Sequence, residues 1–264
     1  MWLLLACTEP PPPGSPDAPD HSASLVTAHS GEPPAHSATP PGHTGATEVE
    51  PPLGGTSGGD GGEDHPRPVP VTLGSASYRL LAPDGAADAR AVRVLVVLSG
   101  VEGDVLMMSN LEQLAPAFGL GDVVVAVLDG RTSTAEDAAA ALDDVRASYD
   151  VDNDRTFLLS ESAGTTEGLE LGLSLRQSWF AAYWANDVNA RRTPDLDAAA
   201  LGFAPWGNVG PGGAFADAEA LVLGMADAGY QLPADAPYSG PGSGTHGSSA
   251  QLIAAVSFFD GRSR

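Results

Sequence analysis

Three short apolar runs constrain the fold more than any other feature of this chain. Val92–Leu98 is almost unbroken and rich in β-branched residues, and Ser99-Gly100 closes it. Asp122–Leu128 carries four valines and ends in Asp129-Gly130, and Thr156–Leu159 is a third such run. A strand with one wet face alternates apolar and polar residues, whereas a strand covered on both faces does not. Between these runs lie helical patterns at Leu106–Phe118 and from Thr134 to about Tyr149. In the second, Thr134 and Asp137 have the spacing of a capping box. Buried strands alternating with helices predict an α/β fold with a mostly parallel, doubly wound sheet.

The remaining elements follow the same logic. Val69–Leu73 and Ser77–Leu81 read as two early strands. Ser162–Arg176 reads as a helix, Phe180–Ala185 and Ala199–Ala204 as further strands, and Gly213–Gly229 and Ser248–Phe259 as closing helices. Residues 69–264 therefore form the expected domain, without an insertion large enough for a lid.

The N-terminal quarter has a different character. Residues 8–68 are mostly Pro, Gly, Ser, Thr, Ala, Asp, Glu and His without apolar periodicity, so they are expected to be a disordered linker. A coil of that length spans roughly 45 Å. His21, His29, His36 and His43 recur within it, each followed by Ser or Thr, but nothing fixes them relative to one another. No metal site is expected there.

Residues 1–7 end in Leu4-Leu5-Ala6-Cys7, which resembles a bacterial lipobox, and Cys7 is the chain's sole cysteine. The resemblance implies lipidation at Cys7 and a location at the cell envelope or outside the cell, with the lipid as the only membrane contact. The six residues before Cys7 fall short of the ~7–15 apolar residues and positive flank of an export signal, so an earlier start is expected. A formal net charge of -22, with arginine as the only strongly basic residue type, disfavours nucleic acid as a partner.

In a doubly wound sheet, ligands bind beyond the carboxyl ends of the strands. The third buried run leads into Ser160-Glu161-Ser162-Ala163-Gly164, the small-x-Ser-x-Gly pattern of a nucleophile elbow, with Ser160 in place of the usual first glycine. Ser162 is the candidate nucleophile, and the N–H of Ala163 is a candidate oxyanion donor. The expected domain holds one histidine, His246, in a Gly-rich loop before the last helix, where a general base would follow in the chain order Ser…acid…His.

Arg93–Gly100, the helix from Ala138, the Asp150–Arg155 turn, the elbow and the Gly244-Thr245-His246 loop together resemble the esterase and polyhydroxybutyrate-depolymerase-like branch of the α/β-hydrolases. The resemblance spans about residues 92–259. It implies a Ser-His-acid triad that cleaves small or short-acyl esters through an acyl-enzyme, without a cofactor. Two positions depart from the pattern. Ser99-Gly100-Val101-Glu102 replaces the family's His-Gly, which leaves a backbone N–H near Val101 as second oxyanion donor and brings the charge of Glu102 close. Asn208 stands where the triad acid usually lies, and Asn cannot stabilise an imidazolium by charge. Asp187, one strand earlier, and Asp217 are the other candidates for the acid. An inactive hydrolase fold acting as a surface binding module is the competing expectation. Asp150, Asp152, Asp154 and Glu161 match EF-hand positions, but Arg155 replaces the required glycine and a strand fills the loop, so calcium is not expected.

Overall fold

In the computed structural model, which describes residues 50–264, β3 (Val92–Leu98) and β4 (Val123–Leu128) are buried along almost their whole length. Their side chains divide between two cores. Leu95, Val97, Val125 and Val127 pack against Met107, Met108 and Leu111 of α1 (Gly103–Ala117) and against Leu252 and Val256 of α5 (Ser249–Phe258). Val94, Val96, Val124 and Ala126 face Ala138, Leu142 and Val145 of α2 (Ala135–Ser148). That opposite core also takes in Leu169 of α3 (Thr165–Glu170) and Leu221 of α4 (Phe215–Asp227). Strand periodicity sends neighbouring residues to opposite faces, so a sheet covered on both sides needs apolar residues at every position.

Seven strands form one sheet among the described residues, in the order β1-β2-β4-β3-β5-β6-β7. The hairpin β1 (His65–Leu73) and β2 (Ala76–Ala82) is antiparallel, and β2 joins β4 antiparallel. From β4 onward the pairing is parallel through β3, β5 (Val151–Glu161), β6 (Ala182–Asn186) and β7 (Trp206–Val209). After β3 the chain goes one way to β4 and then returns to the other side of β3 as β5. That reversal opens a crevice at the carboxyl ends of β3 and β5, where such sheets bind ligands. The expected α/β class and doubly wound, mostly parallel sheet are both present.

Helix α2 starts as its sequence dictates. Thr134 Oγ1 accepts from the N–H of Asp137 at 3.2 Å, and the Asp137 carboxylate accepts from the N–H of Thr134 at 3.0 Å. Two expected elements differ. Residues 162–176 form not one helix but a 3-10 turn (Ser162–Gly164), α3, and a π-helical turn (Leu171–Leu175). Ala199–Ala204 is not a strand. A 3-10 turn at Ala198–Leu201 is capped by the Asp197 side chain and ended by Gly202 at φ 81°, and the strand begins only at Trp206. Alanine favours a helical turn over a strand, and a left-handed glycine stops any ladder.

The expected linker boundary at residue 68 also moves. Residues 50–64 form an ordered strap along α2 and the start of β5. Ser57 N–H donates to Val151 O at 2.8 Å, Gly58 N–H to Asp150 Oδ1 at 2.9 Å, and Gly62 N–H to Ser148 O at 2.8 Å. Asn153 Nδ2 donates to Gly54 O at 2.7 Å, and Tyr149 Oη to Glu63 O at 2.6 Å. Composition hides this strap because backbone groups and carboxylates hold it, not buried apolar area. At Gly59 the two backbones are so close that a Cβ would overlap the Arg146 and Tyr149 carbonyls. The Asp-rich turn that resembles an EF-hand thus binds the chain itself. Cys7 and the four recurring histidines lie outside the described residues.

Candidate active site

The strand-to-helix turn at Ser162 is built by backbone strain and close packing. Ser162 follows β5 directly and sits at φ 47°, a left-handed conformation that costs a non-glycine residue about 1–3 kcal/mol. Such a turn projects the side chain off the strand end and places the next N–H groups at the start of a helix. A Cβ on Gly164 would stand 2.6 Å from the carbonyl oxygens of Leu98 and Ser99, so only glycine lets this turn approach β3. Ser160, where the pattern usually has glycine, is accommodated from the other side. A Cβ on Gly168 would lie 2.6 Å from the Ser160 hydroxyl, so the space lost on the strand is restored on α3. The Ser160 hydroxyl meets Tyr183 Oη at 3.2 Å and is turned away to that partner.

Ser162 and His246 are brought together. Ser162 Oγ lies 2.8 Å from His246 Nε2, across 84 residues of sequence. With its proton on Nδ1 the imidazole accepts from the serine hydroxyl, the arrangement a general base requires. Ser162 is buried, while His246 is exposed on the loop before α5.

Of the three candidate acids, Asp187 alone reaches this loop. It follows β6, is fully buried, and is itself left-handed at φ 50°. Its carboxylate accepts from the N–H of Gly247, the residue after His246, and from Gln251 Nε2 on α5. Burial pushes the Asp187 carboxyl up from its ordinary range, while the Gly247 N–H, the nearby imidazole and the Gln251 amide pull it down. The pair thus interacts through charge and through the shared loop, and no hydrogen bond joins carboxylate to ring. Asn208 is excluded: it lies inside β7, with its side-chain oxygen accepting from the N–H of Val209. Asp217 is paired with Arg191 on the first turn of α4.

Gln251 was not legible as a site residue, although a signal existed. It is a polar residue three positions after Ser248 and four before Ala255, on the stripe of α5 that faces the core, and it is fully buried. Its Oε1 has no hydrogen-bond partner, and neither has Asn186 Nδ2.

Two further carboxyl groups stand near Ser162. Glu102 follows β3 and turns back so that its Oε1 accepts from the Gly100 N–H at 2.8 Å. Val101 beside it is exposed. Glu161, next to Ser162, has Oε2 sealed from solvent without a partner. Burial, then the charges of Glu102 and Asp187, push the Glu161 carboxyl up to about 8 from an ordinary 4.5. Folding therefore takes up a proton at Glu161 between these values. The contribution is fully present below pH 4.5 and is lost as pH rises through 8. Glu161→Gln is expected to flatten the fall in thermal midpoint between pH 5 and pH 8, measured by calorimetry on both proteins. An unchanged slope would remove Glu161 as its source.

No group of three or more metal-ligating side chains is present among the described residues.

No protein-family model matches the sequence, and no curated protein matches it. Solved structures do match. The thermophilic carboxylesterase EstE1 from a metagenomic library aligns over 80% of this chain and 88% of its own, at 15% identity and a TM-score of 0.52. A thermostable esterase aligns over 75% of this chain at 14% identity and TM-score 0.51, and the chain spans only 63% of that esterase's length. FphF, a fluorophosphonate-binding serine hydrolase of Staphylococcus aureus, aligns over 73% and 97% at 12% identity and TM-score 0.51. The fold is of the α/β-hydrolase type.

Proposed function

We propose that the protein is a serine hydrolase that cleaves small or short-acyl carboxylic esters through an acyl-enzyme. One observation carries the reading: Ser162 Oγ lies 2.8 Å from His246 Nε2, on an elbow strained in the way a nucleophile elbow is. Ser162 Oγ attacks the ester carbonyl carbon as its proton passes to His246 Nε2. The oxyanion is held by the Ala163 N–H and by a backbone N–H of the Gly100-Val101 turn. Collapse of the tetrahedral intermediate expels the alcohol, which takes the proton from His246 and leaves Ser162 acylated. Water, deprotonated by the same imidazole, then releases the acid. Asp187 stabilises the imidazolium and holds its loop. The exposure of His246 favours soluble, freely diffusing esters.

The test is intact-mass labelling of the purified protein with a fluorophosphonate. One adduct per chain, placed on Ser162 by peptide mapping, is the expected result. No adduct on a folded protein would favour the competing reading, a binding module on an inactive hydrolase fold.

The same proposal places the protein at the bacterial cell envelope, anchored by lipid at Cys7, which the lipobox-like Leu4–Cys7 supports. Produced in a bacterial host with an export leader placed ahead of Met1, it is expected to partition into the detergent phase of Triton X-114, and Cys7→Ala to move it to the aqueous phase. Aqueous partitioning of both forms would remove the anchor.

A further inference from the structure

On the esterase reading the second oxyanion donor is an N–H of the Gly100-Val101 turn, and one of those two N–H groups is already engaged. The N–H of Gly100 comes from the first residue but one after β3, beside the nucleophile: a Cβ placed on Gly100 would lie 3.3 Å from Ser162 Cβ. That N–H already donates to Glu102 Oε1 at 2.8 Å, and the other carboxylate oxygen would be 2.6 Å from the same Cβ. Glu102 thus puts a full negative charge where the ester carbonyl must bring a partial one. Among the described residues it has no ion pair. Arg131, whose guanidinium feels its charge, is forked onto Asp129 by bonds of 2.9 and 2.5 Å.

Resting on the esterase reading, we propose that Glu102 is the specificity-determining residue of this site, selecting esters that carry a cationic group beside the acyl carbonyl. An ammonium two bonds from the carbonyl carbon pairs with the Glu102 carboxylate and draws it from Gly100 N–H, which is then free for the carbonyl oxygen. A neutral ester must break the Glu102–Gly100 hydrogen bond without replacing it, and an anionic acyl group is also repelled. Exposed Val105 and Leu106, three and four residues further along α1, share the helix face of Glu102 and offer apolar contact to the flanks of such a cation.

The test compares three esters of one chromogenic phenol. Their acyl groups are trimethylammonioacetyl, its uncharged isostere 3,3-dimethylbutanoyl, and carboxyacetyl. Each is assayed with wild type, Glu102→Gln and Glu102→Ala. Comparing enzymes on the same ester cancels the intrinsic reactivity of each substrate. Glu102→Gln keeps an oxygen for Gly100 N–H but removes the charge, so the cationic-to-neutral ratio of kcat/KM is expected to fall at least about tenfold. Glu102→Ala also frees the N–H, and kcat/KM for the neutral ester is expected to rise above the wild-type value. Hydrolysis with a ratio that moves less than twofold in Glu102→Gln overturns this proposal and leaves the esterase reading standing. Equal losses on all three esters also overturn it, since they would make Glu102 a general catalytic or structural group. No hydrolysis by wild type, with no fluorophosphonate adduct on Ser162, overturns both.

Discussion

Ser162→Ala is expected to lower ester turnover by about 10⁴- to 10⁶-fold and to abolish fluorophosphonate labelling. On the proposed mechanism the hydroxyl is the attacking atom, and among the described residues no other hydroxyl bonds His246 Nε2. Alanine also fits the site: Ser162 is left-handed and buried, and removing Oγ leaves that backbone turn, with Gly164 against β3, as it was. The variant should therefore keep a wild-type melting temperature, which separates lost chemistry from lost folding. Residual turnover within tenfold of wild type would mean that another group performs the attack.

Asp187→Asn is expected to cost about 10³- to 10⁴-fold in kcat, since a neutral partner neither stabilises the imidazolium nor fixes its tautomer. In this protein the same change has a second effect. Both carboxylate oxygens accept from N–H donors, Gly247 on one side and Gln251 on the other. An asparagine has one acceptor oxygen, so its amide group must face one of those donors. That leaves a buried donor unpaired, at a cost of about 1–3 kcal/mol. Asp187→Asn is thus expected to melt lower than wild type, unlike Ser162→Ala. Stopped-flow kinetics and calorimetry on the two variants read both effects. Wild-type kcat in Asp187→Asn would take the acid role away from Asp187.

The strand cores, the capping box of α2 and the mostly parallel, doubly wound sheet were legible because each follows from a local pattern. Valine runs specify burial on two faces, and a Thr with an Asp three residues on specifies a helix start. Ser162 and His246 were legible for the same reason, as a motif between a buried strand and a helix and as a lone histidine on the last loop. The acid was not. Asn208 and Asp187 both follow expected strands, and only the register of β7, which runs from Trp206 and places Asn208 inside the ladder, separates them. Gln251, Glu161 and the Glu102–Gly100 contact depend on which side chains meet across the crevice, which no local pattern encodes. The strap at residues 50–64 was not legible because Gly-rich sequence reads as coil even where N–H groups such as those of Gly54, Ser57, Gly58, Asp60 and Gly62 are bonded.

That strap also fixes a direction. It is sewn to Tyr149–Asn153, at the amino end of β5, whereas Ser162 stands past the carboxyl end of the same strand. Val151 and Ser160 of β5 lie opposite Val92 and Leu98 of β3, six extended steps or roughly 20 Å apart. The strap therefore grips the end of the sheet opposite Ser162. The strap thus braces one end of the sheet and leaves the crevice beside Ser162 uncovered by it.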